Sequence, residues 1–465
     1  VDSLSLAGTA VGAFNDKDVP DATSVAFSGL SLTGTGSGNY SLTNHADASH
    51  TISVKPVTVS GLTSSDKTYD GTTNATVGGT ASLQSAISAG TGSASDGKPY
   101  DVDSLSLAGT AVGAFNDKDV SDATKVVFSG LSLTGTGEEN YSFTNHPDAS
   151  HSVNTKEVSL SGSKTYDGGV DLMGAVSLLT GVGSETLSYS GASASAKDVT
   201  VSNKYIDAIT LLDATDGSGG LASNYHLPVL DSSKAPVTIS QKTVSLSGSK
   251  IYDGGVDLTG AVSLLTGVGS ETLSYSGATS SAKDVTVSNK YIDAITLVDA
   301  TDGSGGLASN YQLPSLDALN AAVTINAKTV GLSASRLYDG SVNLTGSDVS
   351  ISTGVGSETL SYSGATASAK DVTVSNKYID AITLENATDG SGGLAGNYQL
   401  PVLDSSKAPV TISQKTVSLS GSKTYDGGVN LTGSDVSIST GVGSETLSYS
   451  GATASAKDVT VSNKY

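Results

Sequence analysis

Cysteine and tryptophan are absent from this chain of 465 residues, and methionine occurs only once. Without cysteine no disulfide can form, so small domains must be stabilised by packing and hydrogen bonding alone. Apolar runs extend for only a few residues, whereas a membrane-spanning helix needs roughly 20. We therefore predict no membrane insertion. Hydrophobic residues make up 37% of the chain, which suits several small cores better than one large core.

Basic residues are also scarce. Lys and Arg together number 24, against 45 Asp and Glu, which gives a formal net charge of −21. Nucleic-acid binding depends on clustered Lys and Arg that neutralise phosphates, and no such cluster is present. The same deficit argues against attachment to an anionic membrane surface. We expect neither nucleic acid nor a membrane as a partner, and we expect the negative charge to oppose nonspecific association.

What is abundant is glycine, with 55 residues, and much of it lies in repeated motifs. The tripeptide Tyr-Asp-Gly recurs five times at intervals of 86–97 residues, and the motifs Lys-Asp-Val and Asn-Tyr follow it in a fixed order. We interpret the tripeptide as a structural turn in which Asp bonds local backbone, Gly adopts positive φ and Tyr packs inward. The five copies comprise Tyr69, Asp70, Gly71, Tyr166, Asp167, Gly168, Tyr252, Asp253, Gly254, Tyr338, Asp339, Gly340, Tyr425, Asp426 and Gly427.

The repeats are of two subtypes. The long subtype carries an identical stretch at 1–19 and 102–120, and the short subtype carries Gly-Ser-Glu-Thr-Leu-Ser-Tyr-Ser-Gly-Ala. A period of this length suits one small independent domain, and because both outer segments are incomplete we expect the chain to be a piece of a longer protein. We assign the C-terminal part of a long repeat to 1–56, a complete long repeat to 57–156, complete short repeats to 157–242, 243–328 and 329–415, and the N-terminal part of a short repeat to 416–465.

The local pattern within a repeat is that of β-strands. Residues 185–190 alternate polar and apolar side chains, and 204–212 place Tyr205 and Ile209 on one side. Gly-rich turns separate these segments, and no stretch shows a sustained helical period. We predict an all-β fold, a tandem array of small β-sandwich domains, Ig-like or β-grasp-like, forming an extended rod. With roughly 35–45 Å per repeat, the rod would be on the order of 200 Å long.

Three motifs together resemble a known family. Residues 67–73 (Lys-Thr-Tyr-Asp-Gly-Thr-Thr), 115–120 and 139–142 resemble the YDG-type repeat, a relative of MBG repeats. Such repeats occur in very large bacterial exported proteins, many of them similar to filamentous haemagglutinins. The resemblance implies an extracellular or cell-surface location, adhesion and stalk building, and it implies no catalytic residues.

Acidic loops in the short repeats are candidate calcium sites, because hard cations prefer clustered carboxylate and carbonyl oxygens. The loops do not have EF-hand spacing, and Asn386 stands where two other copies have Asp. We predict plain hairpin loops, with calcium as the alternative and no other cofactor. The candidate ligands are Asp213, Asp216, Asp299, Asp302 and Asp389.

The recurring lysines raise the question of a Lys–Asn amide crosslink, which needs a Lys, an Asn and a carboxylate buried together. The lysine before Tyr-Asp-Gly becomes Arg336 in one copy, and Arg cannot form this bond. The lysine of Lys-Asp-Val, in contrast, is Lys in every copy. A crosslink or an ordinary ion pair fits these lysines, and we predict the ion pair.

Taken together, the repeats predict a structural protein and not an enzyme, since catalysis seldom needs a site copied five times whereas length does. We predict a stalk or spacer of a bacterial cell-surface adhesin or extracellular fibre, projecting a distal binding region. Two alternatives remain open: a self-assembling filament whose partners are further copies of the chain, and an array of weak glycan-binding repeats acting through avidity. The first partners we expect are neighbouring repeats of the same chain.

Overall fold

The computed structural model describes residues 1–465. The fold is all-β, as predicted, with 35 strands, seven single-turn 3-10 helices and no α-helix. Consistent with the short apolar runs, none of its helices has the length and hydrophobicity to cross a bilayer. The 3-10 helices are Ser37–Asn39, Glu138–Asn140, Ala222–Asn224, Ala308–Asn310, Gly346–Asp348, Ala395–Asn397 and Gly433–Asp435.

The chain folds as two compact units. The first comprises Val1–Lys164 and Gly169–Ile239, and the second comprises Thr165–Gly168 and Ser240–Tyr465. Strands up to residue 154 are Ser3–Phe14, Ser24–Thr35, Ala48–Ser49, Lys55–Thr63, Lys67–Thr68, Asn74–Ala75, Gly78–Leu83, Ser104–Phe115, Lys125–Thr136, Tyr141–Thr144, Ala149–Ser150 and Val153–Asn154.

The three short repeats have the same seven strands each. The first has Lys156–Glu157, Ser159–Thr165, Val176–Leu179, Ser188–Ala194, Ile206–Leu212, Tyr225–His226 and Val237–Ser240. The second has Lys242–Thr243, Ser245–Ile251, Val262–Leu265, Ser274–Ser280, Ile292–Val298, Tyr311–Gln312 and Val323–Asn326. The third has Lys328–Thr329, Gly331–Leu337, Val349–Ser352, Ser361–Ala367, Ile379–Glu385, Tyr398–Gln399 and Val410–Ser413, and Ser418–Gly421 and Val436–Ser439 follow it.

In the first unit, the long repeat is built on a hairpin of two 12-residue strands, Ser104–Phe115 and Lys125–Thr136. The antiparallel register shifts between Gly109 and Val112, which marks a bulge. Gly109 has a φ of +91°, and a Cβ there would lie 2.2 Å from the carbonyl oxygen of Gly130. Glycine is therefore required where the two backbones approach. A second, three-stranded sheet places Lys55–Thr63 between Tyr141–Thr144 and Gly78–Leu83.

In the second unit, each complete short repeat has one three-stranded sheet and two separate two-stranded sheets. The central strand Ser245–Ile251 pairs antiparallel with Val262–Leu265 and parallel with Val323–Asn326. Its alternate side chains face a small core that includes Leu258 and Ile292, both with no exposed surface. Period-two alternation thus buries one face of the sheet and leaves the other polar.

Two strand predictions need correction. The strand predicted at 185–190 begins at Ser188, because the N–H of Glu185 donates to the carbonyl of Val182 at 3.0 Å and forms a turn. Farther along, Ile206 is fully buried while Tyr205 is half-buried. The register of this strand with its partner is irregular, so the simple alternation predicted for 204–212 does not hold at its start.

Candidate functional site

The Tyr-Asp-Gly turn follows the central strand of each repeat. In the second unit, the backbone N–H of Tyr252 donates to the carbonyl of Asn326 at 2.9 Å, which fixes the end of the strand. The Asp253 carboxylate then accepts from the backbone N–H of Gly255 at 3.0 Å and from Lys250 Nζ at 2.7 Å. The sequence Lys-x-Tyr-Asp-Gly is therefore a closed turn, with the aspartate as its acceptor.

A lysine or arginine side chain stabilises the same turn with hydrogen bonds to its backbone carbonyls. Lys250 Nζ also donates to the carbonyls of Gly255 and Asp257, each at 2.8 Å. In the copy that has Arg336, the guanidinium bonds Asp339 and the carbonyls of Ser341 and Asn343. The lysine and the arginine therefore each bond the turn aspartate and two backbone carbonyls, which explains why either residue is compatible with the turn.

The tyrosine of the turn contacts a carboxylate in the next repeat. Tyr252, 1% exposed, donates its hydroxyl to Glu358 Oε1 at 2.8 Å, and Tyr398 donates to Glu358 Oε2 at 2.6 Å. The two rings meet edge to face, with centroids 5.5 Å apart. One carboxylate thus accepts a phenol from the preceding repeat and a phenol from its own repeat, and both bonds are charge-assisted.

The same arrangement recurs along the chain. In the first unit, Tyr69 and Tyr225 donate to the two oxygens of Glu185 at 2.8 and 2.7 Å. In the second unit, the equivalent contacts are Tyr166 to Glu271 at 2.8 Å, Tyr311 to Glu271 at 2.6 Å, and Tyr338 to Glu445 at 2.6 Å. Tyr425, in the last Tyr-Asp-Gly copy, is exposed.

The glycine of the turn makes the approach possible. Gly254 has a φ of +85°, and a Cβ on it would lie 2.7 Å from Cγ1 of Val355 in the following repeat. Gly71 has the same relation to Val182, at 2.8 Å. Any side chain here would be strained in its backbone and would collide with the neighbouring repeat. The same close approach recurs at Gly168 and Gly340.

A second contact joins Lys-Asp-Val of one repeat to Asn-Tyr of the next. Asn397 has no exposed surface; its Nδ2 donates to Asp284 Oδ1 at 2.8 Å, and its Oδ1 accepts the backbone N–H of Val285 at 2.8 Å. Lys283 Nζ lies 3.1 Å from the same Asp284 oxygen and 3.2 Å from the hydroxyl of Tyr252. The oxygen and the nitrogen of the buried Asn397 amide therefore both have hydrogen-bond partners in the preceding repeat.

Equivalent asparagine contacts occur twice in the first unit. Asn224 bonds Asp119 at 2.7 Å and the N–H of Val120 at 2.8 Å. Asn140 bonds Asp18 and the N–H of Val19 in the same way, each at 2.7 Å. We call the two contacts together the repeat junction: the motif tyrosine and the Lys-Asp-Val segment of one repeat, with the acidic residue and the Asn-Tyr pair of the next.

The junction shifts the protonation of its groups. Burial, and then the hydrogen bond and negative charge of Glu185, raise the pKa of Tyr69 and of Tyr225. Burial and the bond to Asp103 raise the pKa of Tyr141 to about 12. Burial alone would raise the pKa of Asp119, but its bonds to Lys118 and Asn224 outweigh that effect and lower it. At neutral pH these tyrosines are therefore neutral phenols, and Asp119 is ionised.

The candidate calcium ligands lie elsewhere, and the prediction that their loops are hairpins is wrong. The loop of Asp299 and Asp302 joins Ile292–Val298 to Tyr311–Gln312, two strands that belong to different sheets. Asp302 accepts from Thr272 Oγ1 at 2.6 Å and from the N–H of Ser304 at 3.0 Å, and these bonds lower its pKa to about 2. Asp299 accepts the N–H of Ala308 at 2.8 Å, at the start of a 3-10 helix. Asp213, Asp216 and Asp389 have the corresponding loop contacts.

Where the third copy has Asn386, its amide oxygen accepts the N–H of Ala395 at 2.8 Å, so Asn replaces Asp without loss of the bond. No group of three or more His, Asp or Glu side chains is placed to hold a metal ion. The structure thus brings the motif residues together at the repeat junctions, whereas the loop carboxylates are bonded to groups within their own repeats.

Sequence reasoning missed the glutamate at the centre of the junction. Glu185, Glu271, Glu358 and Glu445 recur at the same position of the four short copies, and the strand predicted over 185–190 gives Glu185 no separate role. In the long repeat the bond to the Asn-Tyr tyrosine is made instead by Asp103, which Tyr141 contacts at 2.7 Å. The recurrence of an acid at this point of every repeat was the available signal.

Comparison with protein families agrees with the geometry of the long repeat. Residues 53–150 match the model of the YDG domain. The chain contains a YDG domain. Comparisons with curated proteins and with solved structures returned no match. The YDG domain of this chain includes Tyr69, Lys118 and Asn140, so it carries all three motifs and contributes to a repeat junction on each side.

Proposed function

We propose that this chain is a structural stalk or spacer of a bacterial cell-surface adhesin or extracellular fibre. In this proposal, small β-sandwich repeats are joined in tandem into an extended rod that projects a distal binding region. The observation that carries the proposal is that the recurring motif residues make contacts between consecutive repeats. Residues kept in every copy of a ligand-binding or catalytic repeat would instead face an open site.

The connections between repeats support stiffness. In the second unit, only Ala327 separates the strand Val323–Asn326 from Lys328–Thr329, and the latter pairs in parallel with Tyr398–Gln399. A one-residue linker between hydrogen-bonded strands leaves little freedom for one repeat to swing against the next. The linker and the junction contacts therefore restrain the same movement.

The hydrogen bond and the ring contact of the junction also favour a stiff connection between repeats. A hydrogen bond to a charged group contributes about 1.5–3 kcal/mol, and the bond from Tyr252 to Glu358 is one that crosses between repeats. The edge-to-face pair of Tyr252 and Tyr398 adds about 0.5–1.5 kcal/mol beyond its buried area. Neighbouring repeats are thus coupled by contacts worth a few kcal/mol, which is enough to keep a junction closed most of the time.

A reach measurement tests this function. The chain would be anchored to a surface at one end and labelled at the other, in three forms: unaltered, with 243–328 deleted, and with 243–328 duplicated. The stalk proposal predicts that the height of the label changes by about 35–45 Å with each repeat. A height independent of repeat number would contradict it, and the variant with the duplicated repeat serves as the control for disturbance caused by the deletion.

The two alternatives predict different results with the same three forms. Growth into much longer particles at raised concentration would replace the stalk by a self-assembling filament. Glycan binding that strengthens with repeat number would replace it by a multivalent binding array.

A further inference from the structure

We propose that the repeat junction is a site of covalent crosslinking, in which the lysine of Lys-Asp-Val and the buried asparagine of the next repeat form an amide bond. In the first unit the pair is Lys118 and Asn224, with Asp119 as the proton-transfer group between them. The proposal concerns the chemistry of the junction and does not depend on the stalk function.

The first support is convergence on one oxygen atom. Asp119 Oδ1 lies 2.5 Å from Lys118 Nζ and 2.7 Å from Asn224 Nδ2. Because both nitrogens bond the same oxygen, the amine and the amide lie next to one carboxylate that can transfer protons between them. Two further junctions repeat the geometry, Lys17–Asp18–Asn140 at 2.8 and 2.7 Å and Lys283–Asp284–Asn397 at 3.1 and 2.8 Å.

The second support is the state of the amide. Asn224 has no exposed surface, and its Oδ1 accepts the backbone N–H of Val120 at 2.8 Å. That N–H polarises the carbonyl and is placed to stabilise the negative oxygen of a tetrahedral intermediate. Burial keeps bulk water from the same carbon, so the competing hydrolysis is suppressed. The lysine side chain is 38% exposed and that of Asp119 18%, so the lysine is the most exposed of the three groups.

The step balances without any other reactant. Asp119 takes a first proton from the Lys118 ammonium and releases it to solvent, and the neutral Nζ attacks Cγ of Asn224. Asp119 then takes the second proton from the attached nitrogen and gives it to Nδ2, the Cγ–Nδ2 bond breaks, and ammonia leaves and is protonated in solvent by the first proton, while the Nζ–Cγ amide remains. No electrons are transferred, and the chain loses one ammonia for each bond formed. Asp119 acts as general base and then as general acid.

The charges around the lysine determine how fast the bond forms. The negative groups Asp117, Asp119 and Glu185 surround Lys118, whose Nζ also lies over the ring of Tyr69. The hydrogen bond and charge of Asp119 raise the pKa of Lys118, and the protonated amine cannot attack. The reaction is therefore slow at neutral pH, and it accelerates as pH rises and the neutral amine becomes more abundant.

The test is intact-mass and peptide mass spectrometry on the full chain after denaturation. Fresh protein is compared with protein held folded for days at pH 7 and at pH 9. The expected result is a loss of one ammonia per crosslinked junction, greater at pH 9, and a branched peptide joining Lys118 to Asn224. A wild-type chain that keeps its full sequence mass after prolonged incubation at pH 9 would overturn the proposal.

Two variants assign the loss to the junction. Lys118→Arg keeps the charge but cannot form the bond, so its mass deficit should be smaller than that of the wild type by one ammonia. Lys125→Arg is the matched control, because Lys125 makes a surface ion pair with Asp148; its deficit should equal that of the wild type. If Lys118→Arg shows the same deficit as the wild type and no Lys118–Asn224 peptide is found, the ammonia is lost elsewhere and the proposal is wrong.

Discussion

Replacing the junction glutamate tests how strongly consecutive repeats are coupled. Glu358→Leu removes the acceptor of two hydroxyls, those of Tyr252 and Tyr398, which are 1% and 6% exposed. A buried donor left without a partner costs about 1–3 kcal/mol, and opening the junction relieves this cost for Tyr252, whose bond to Glu358 crosses between the repeats. A loss of about 2 kcal/mol raises the open population of the junction about 30-fold, since about 1.4 kcal/mol corresponds to a factor of ten.

Amide hydrogen exchange measures how often the junction opens. The backbone N–H of Val285 is bonded to Asn397 across the junction, so it exchanges when the junction opens. We expect Glu358→Leu to speed exchange at Val285 about 30-fold or more. The matched control is Glu385→Leu, at an exposed position of the same repeat, where a substitution should stay within about 0.5 kcal/mol.

A rescue variant separates hydrogen bonding from packing. Combining Glu358→Leu with Tyr252→Phe and Tyr398→Phe leaves no hydroxyl unsatisfied, and replacing all partners by apolar groups of similar shape is nearly neutral. Protection of Val285 should then return toward the wild-type level. Unchanged exchange at Val285 in Glu358→Leu alone would refute the reasoning, because it would mean that the carboxylate does not couple the repeats.

Three further predictions follow from the same contacts. First, stability to urea should be full below about pH 10 and fall as pH rises toward 12, because Tyr141 ionises near 10 when unfolded but has a pKa of about 12 when folded; a flat profile across this range would contradict it. Second, Gly254→Ala should lower thermal stability through about 1–2 kcal/mol of left-handed backbone strain plus the clash with the next repeat, whereas Gly255→Ala, whose Cβ would meet only ordinary contacts, should change it little. Third, EDTA should leave thermal unfolding unchanged, since the Asp299 carboxylate is already bonded to the N–H of Ala308 and the Asp302 carboxylate to Thr272; a lowered melting temperature that added calcium restores would show a metal site.

The sequence was a good guide to whatever depends on local pattern. Alternating side chains predicted an all-β fold, and the recurring Tyr-Asp-Gly predicted a turn, which Asp253 and Lys250 close in the structure. Strand starts were less well predicted. A simple alternation rule could not show that Glu185 leaves the strand to form a turn, because that depends on a backbone bond to Val182.

The junction could not be derived from local pattern, since its partners are far apart in sequence. Tyr69 and Glu185 are 116 residues apart, and Asn224 and Asp119 are 105 apart. From the sequence of its own repeat, Tyr69 is predicted as an ordinary inward-facing side chain. No residue close to it in the sequence indicates that its hydroxyl bonds the following repeat. Only the contacts between repeats explain why these residue types recur together.

We propose that junction carboxylates hold consecutive repeats in a stiff array, and small-angle scattering tests this proposal most directly. The full chain would be compared with the triple variant Glu185→Leu, Glu271→Leu and Glu358→Leu. We predict a stiff particle on the order of 200 Å long for the unaltered chain, and a flexible one for the variant with its strands intact by circular dichroism. A compact particle for the unaltered chain, or equal stiffness in both, would contradict the claim.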